Sequence, residues 1–218
     1  MKKLIIAISS VFMLMVSSAS SMDLRPAIGV SASSAVYAAT GVENNFNEAG
    51  SAIDETTKEY GAFQADYPSL FVELGLTDAI SVGVDMVLDT IVTPTNTSNE
   101  DQSNENTVKA EIENLATLYA KIDIPLGGTY IKIGYSQADV NSVETMSSGN
   151  SYGNDQTEGP MAGLGYNHEF ADGLSLRAEV TVTEFEDVET NNGQTNKTEI
   201  KIQDMIGARG TISLVKSF

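Results

Sequence analysis

The chain has 218 residues, with 30 acidic residues against 12 basic ones, one histidine, no cysteine and no tryptophan. A net charge of −18 argues against binding phosphate backbones, whose counterions basic residues would have to release, and against docking on an anionic surface. Without cysteine there is no disulfide framework, thiol nucleophile, thiolate metal site or lipid-anchored cysteine.

Residues 1–21 open with Lys2 and Lys3, run mostly apolar from 4 to 16 and end in small residues. A basic start, a short apolar middle and a small-residue end make a secretory signal peptide, cut after Ala19 or Ser21. The apolar run falls well short of the roughly 20 residues a spanning helix needs. Loss of Lys2 and Lys3 leaves the mature domain, residues 22–218, at a net charge of −20. Beyond the signal no run of about 18 apolar residues occurs, so only a closed barrel could cross a bilayer.

Residues 26–40 alternate as a first strand, with Ile28, Val30, Ala32, Val36 and Ala38 on one face and Gly29, Ser31, Ser33 and Tyr37 on the other. Residues 41–68 lose periodicity and read as a long acidic loop, with one or two helical turns allowed at 53–60 after the weak cap Ser51–Asp54. The clearest stretch follows at 69–89. Its even positions outside the turn, Leu70, Val72, Leu74, Leu76, Ile80, Val82, Val84, Met86 and Leu88, are all apolar, whereas the odd ones include Glu73, Gly75, Ser81, Gly83 and Asp85. With Thr77-Asp78-Ala79 as a tight turn, this is an antiparallel hairpin whose faces differ completely in polarity.

Residues 90–111 are rich in Asn, Thr and Ser and read as a second polar loop. Strands follow at 112–124 and 129–137 around a short Pro125-Leu126-Gly127-Gly128 connection, then a polar loop at 138–159. Strands at 161–170 and 174–185 meet at the turn Ala171-Asp172-Gly173; a loop at 186–197 leads to the last strand, 198–218. The result is eight strands whose connections alternate strictly between tight turns and long polar segments. Outer-membrane barrels have this one-sided pattern, whereas nothing in a soluble sandwich requires it.

On these residues the chain resembles the small outer-membrane β-barrel superfamily, of the outer-membrane protein A transmembrane domain and opacity-like type, over residues 24–218. The resemblance implies an all-β, eight-stranded antiparallel up-and-down transmembrane barrel in the outer membrane of a Gram-negative bacterium. It further implies that Ile212, Leu214 and Phe218 form a C-terminal signal for the barrel-assembly machinery, and that the neighbouring partner is outer-membrane lipid. Lys216 departs from the apolar parity and is expected to snorkel to headgroups. Aromatic girdle residues are expected at Tyr135, Tyr166 and Phe170.

Charged strand residues fall on the inward parity: Glu73, Asp85, Lys121, Lys132, Glu169, Arg177, Glu179 and Arg209. A basic residue on the lipid face at mid-depth would cost about 2–4 kcal/mol, and eight strands enclose just enough room for side chains. The eight charges are therefore expected to pair into a network that plugs the lumen; the alternative is a narrow charge-lined pore. His168, the one candidate base, sits on the outward parity near a tight turn, which speaks for an interfacial ring and against an enzyme. Asp187, Glu189, Asn191, Gly193 and Glu199 approach a calcium-loop pattern, but Gly193 and Glu199 come one residue too late. No cofactor or specific metal is expected, although acidic loops could bridge to anionic lipid through divalent cations. The functional expectation is a non-enzymatic surface or structural barrel, with a small porin-like channel for polar solutes as the alternative.

Overall fold

The computed structural model describes residues 24–47, 49–101, 104–145, 151–194 and 198–218; the expected signal peptide lies outside them. The strands are β1 (Arg25–Phe46), β2 (Ile53–Gly75), β3 (Ile80–Val87), β4 (Ile91–Val92), β5 (Asn96–Asp101), β6 (Asn104–Asp123), β7 (Thr129–Thr145), β8 (Asp155–Ala171), β9 (Leu174–Glu184), β10 (Val188–Asn191) and β11 (Thr198–Ser217). Eight of them, β1, β2, β3, β6, β7, β8, β9 and β11, pair antiparallel in that order, and β1 pairs with β11 to close a ring. β4 and β5 continue the line of β3 along β6, and β10 continues β9 along β11. Among the described residues no helix occurs.

Alternation explains why these segments lie in a sheet. On β1, β9 and the last part of β11, buried and exposed residues largely alternate, and most of the exposed ones are apolar: Ile28, Val30 and Val36, then Leu176, Val180 and Val182, then Ile206, Ile212 and Leu214. The apolar side chains thus face outward and the small or polar ones inward, the reverse of a soluble core. Tyr135 stands at the long-hairpin rim, and Tyr166 and Phe170 stand toward the short-turn rim, all three exposed.

Three of the four segments read as long loops turn out to be largely strand, and among the described residues of the fourth, 186–197, Val188–Asn191 is strand. β1 and β2 stay paired up to Phe46–Ile53, so residues 53–60, allowed a helix by sequence, are extended. β7 runs to Thr145 and β8 starts at Asp155, while β4, β5 and the first part of β6 occupy most of 90–111. Backbone pairing continues past the apolar belt, where the outer face meets water, and there a ladder can persist without an apolar outer face. Two bulges also shift the inward parity. Asn114 (φ 54°) and Asp204 (φ 55°) take left-handed backbone at the register breaks of β6 and β11, so Ile112 faces inward on one side of the bulge and Thr117 on the other. Asp139 fastens the first bulge, accepting bonds from Asn114 Nδ2 and Gln156 Nε2, both at 2.7 Å.

Inside the wall, bulky rings lie over glycines of neighbouring strands. A Cβ on Gly165 would stand 2.2 Å from Tyr130, and one on Gly29 would stand 2.2 Å from Phe71. Gly165→Ala therefore should force Tyr130 aside and destabilise the barrel by about 1–3 kcal/mol, the usual cost of overpacking. Gly41→Ala, whose Cβ meets only a carbonyl oxygen at 3.7 Å, should be near neutral. Thermal unfolding in detergent, followed by loss of the fast-migrating unboiled band on SDS gels, measures both.

Candidate functional site

The alternation that sends apolar residues to lipid sends seven ionisable side chains into the lumen, all of them buried: Glu73, Asp85, Lys121, Lys132, Arg177, Glu179 and Arg209. Glu73 on β2 accepts two bonds from Arg177 of β9, at 2.9 and 3.3 Å, and one from the Tyr119 hydroxyl at 3.0 Å, with Lys121 at 3.9 Å. Lys132 of β7 meets Glu179 of β9 at 3.0 Å. Arg209 of β11 meets Asp85 of β3 at 3.2 Å, and Asp85 also accepts from Ser69 at 3.0 Å.

Aromatic rings fill the space between the ion pairs. Lys132 stands 4.0 Å from the Tyr119 ring centroid, and the Arg177 guanidinium lies between the rings of Phe71 (5.1 Å) and Tyr130 (5.5 Å). Ring faces carry negative potential and favour cations this close. Hydroxyl pairs line the wall beside the charges: Ser31–Ser213 and Ser33–Thr211 at 2.9 Å and Thr117–Ser136 at 2.8 Å.

Toward the long hairpins the lumen changes character. Tyr37 and Tyr67 share a hydroxyl hydrogen bond of 3.0 Å, and Phe63 stacks on Tyr37 at 5.3 Å. Around them Ile91, Ile112, Leu115, Phe185 and Met205 form an apolar layer. Between the charged and apolar layers the free space is about 20 Å³, room for about one water molecule. The sequence reading missed this layer because most of its residues belong to segments read as loops or lie beyond the bulges. Isolated bulky residues within otherwise polar stretches, such as Phe63 and Met205, were the available signal.

One expected member of the network is elsewhere. Glu169 is exposed at the short-turn end and accepts from the Gly173 amide at 3.0 Å: it keeps its register opposite Ser175 but is one of the last paired positions before the turn, beyond the reach of the buried charges. Asp123, also near that end, contacts Lys121 at 2.8 Å. His168 is exposed on the outer face opposite Leu176. In the stretch resembling a calcium loop, the Lys201 ammonium sits between Glu189 (2.9 Å) and Glu199 (3.2 Å). Hydrogen bonds donated to Glu189 and Glu199 raise the Lys201 pKa, and burial of Glu199 is outweighed by the bonds it accepts from Lys201 and Asn44, which lower its pKa. Among the described residues no group of three acidic, histidine or cysteine side chains could hold a metal ion. At the C-terminus Ile212, Leu214 and Phe218 are exposed. The Phe218 amide donates to Pro26 O at 2.9 Å, and Lys216 bends to the Asp172 carbonyl at 3.1 Å.

Because Glu73 is buried, Arg177→Met should leave it with Lys121 as its nearest basic partner and cost about 3–5 kcal/mol of stability. Adding Glu73→Gln should recover much of that loss. Denaturant titration of both variants in detergent gives the coupling; independent, additive losses would mean that the pair is not formed.

A family model described as outer membrane protein beta-barrel domain matches residues 5–203. Among solved structures, the outer membrane protein OprG of Pseudomonas aeruginosa aligns at a TM-score of 0.60 and 12% identity, covering 88% of this chain and 95% of its own. The outer membrane protease OmpT of Escherichia coli aligns at 0.49 and 10% identity, covering 88% and 97%. Among curated proteins, none matches this chain in sequence.

Proposed function

The chain belongs to the outer membrane protein beta-barrel domain family, whose place is the Gram-negative outer membrane, and on that premise we propose a non-enzymatic barrel with a closed lumen that acts through its outer hairpins. In barrels of this kind short turns face the periplasm and long hairpins face outward. The observation that carries the reading is the filling of the lumen. Ion pairs occupy its periplasmic half, an apolar layer lies above them, and about 20 Å³ remains between the two.

A hydrated ion would have to separate Glu73 from Arg177 or Lys132 from Glu179 and then shed its water to cross an apolar section. Both steps are costly, the first through unpaired buried charge and the second through ion desolvation. Against enzymatic chemistry stands the one histidine, exposed on the lipid side of β8 and so removed from the lumen. What faces outward is acidic: Glu43, Glu55, Glu59, Glu144, Asp155 and Glu189 lie on the outer hairpins. Divalent cations would bridge such carboxylates to anionic lipid headgroups, since hard cations take oxygen ligands from either side. The exposed Ile212, Leu214 and Phe218 form the edge offered to the assembly machinery.

Planar-bilayer recordings of the refolded barrel should show no steady unit conductance at moderate voltage. The double variant Lys132→Ala/Glu179→Ala should stay closed, because the apolar layer remains. Ohmic unit currents from the unmodified barrel would support the other reading, a small channel for polar solutes.

A further inference from the structure

Beyond the apolar layer the lumen widens into a cavity of about 400 Å³, within the ~300–1,000 Å³ span of small-molecule sites. Phe63, Ile112, Val140, Val188, Ile202 and Met205 give it an apolar wall. Among its described lining residues Glu59 alone is charged, and no cation lines it. Its floor includes Tyr37, held by Tyr67.

The barrel wall beside this cavity is split. β2 pairs with β3 only over Ser69–Gly75, with one further bond from Leu88 N to Pro68 O at 3.1 Å. Farther out, the second edge of β2 has no ladder partner among the described residues, because β4 and β5 pair with β6 instead. Both lips of the split line the cavity, Glu59 to Phe63 on one side and Thr93 and Pro94 on the other. Pro94 has no amide hydrogen with which to bridge the gap. Exposed apolar groups flank the opening, namely Tyr60, Leu88 and Val92, while Asp66 and Gln64 on the outer face of β2 mark the level where the apolar belt ends. The split therefore opens just above Pro68, at the outer rim of the lipid belt, and extends outward from there.

We infer that this cavity binds a neutral, hydrocarbon-rich small molecule, which exchanges with the outer leaflet through the split between β2 and β4. The charge balance selects against the anionic members of that class. Glu59 at the lips and a chain charge of −18 repel a carboxylate or phosphate, and no lining cation offsets them. The floor of Tyr37 and Met205 stops the ligand above the ion-pair layer, so the site holds its ligand and does not pass it on. It stands whether or not the barrel conducts ions.

The test uses the full barrel in phosphatidylcholine nanodiscs, with empty discs subtracted. Octan-1-ol to dodecan-1-ol should displace N-phenyl-1-naphthylamine, with affinity rising about fourfold per added methylene until the cavity is full. Dodecanoate should compete at least tenfold more weakly, and Glu59→Gln should narrow that difference. Ala39→Trp and Ala110→Trp, both filling the cavity, should each lower alkanol affinity at least tenfold while keeping the heat-resistant band. Because the chain has no cysteine, Gly61→Cys/Thr93→Cys can be stapled across the split by a bismaleimide. The staple should slow exchange of probe already dissolved in the disc. No saturable displacement above empty discs, or full affinity in a folded Trp variant, would overturn the site. Equal binding of dodecanoate would overturn the neutral assignment, and an unchanged exchange rate in the stapled barrel would assign loading to the aqueous side.

Discussion

A charge buried in a narrow lumen must find an opposite charge or a ring face, and that requirement governs this barrel. Each of the seven charges that line the ion-paired half of the lumen meets it. Two of the pairs tie walls that are distant in the chain: Glu73 to Arg177 over 104 positions and Asp85 to Arg209 over 124. A slip of one residue in any paired strand would turn its charges toward lipid, at a cost of about 2–4 kcal/mol for each basic group at mid-depth. The same charges that close the lumen therefore also penalise wrong registers.

Removal of charges from water is not in itself stabilising, since desolvation can exceed the attraction of the pair. The arrangement lowers that cost in two ways. Tyr119 and Ser69 donate to the carboxylates that the cations also contact, and the rings of Phe71, Tyr119 and Tyr130 cover the cations. Glycines on adjacent strands, such as Gly29 and Gly165, make room for those rings. Above this level the lumen turns apolar and widens into the cavity where the wall itself opens between β2 and β4.

Much of this was legible in the residues, and the reasons for success and failure are physical. Where lipid lies on one side, polarity alternates strictly, so the hairpin at 69–89 reveals its pairing and its faces without ambiguity. Beyond the belt the outer face of a strand meets water, the alternation disappears, and β1, β2, β7 and β8 all run farther than their periodicity suggests. Parity assigns an inward direction to Glu169 on β8, yet cannot say how far along the axis a residue lies; Glu169 sits at the short-turn rim, and Asp123 contacts Lys121 near that end. The bulges at Asn114 and Asp204 have no reliable sequence mark, so the apolar layer built around Ile112 and Met205 had to be seen in three dimensions.

The most direct test of the closed, ion-paired lumen is a dipolar-dephasing measurement by solid-state NMR on the barrel in lipid bilayers, with Lys132 labelled at Nζ and Glu179 at its carboxyl carbon. The account predicts strong dephasing, consistent with the 3.0 Å contact between ammonium and carboxylate, and slow exchange of the ammonium protons with bulk water. Absent dephasing together with rapid water exchange at Lys132 would mean a hydrated, open lumen, and the account would be wrong at its centre.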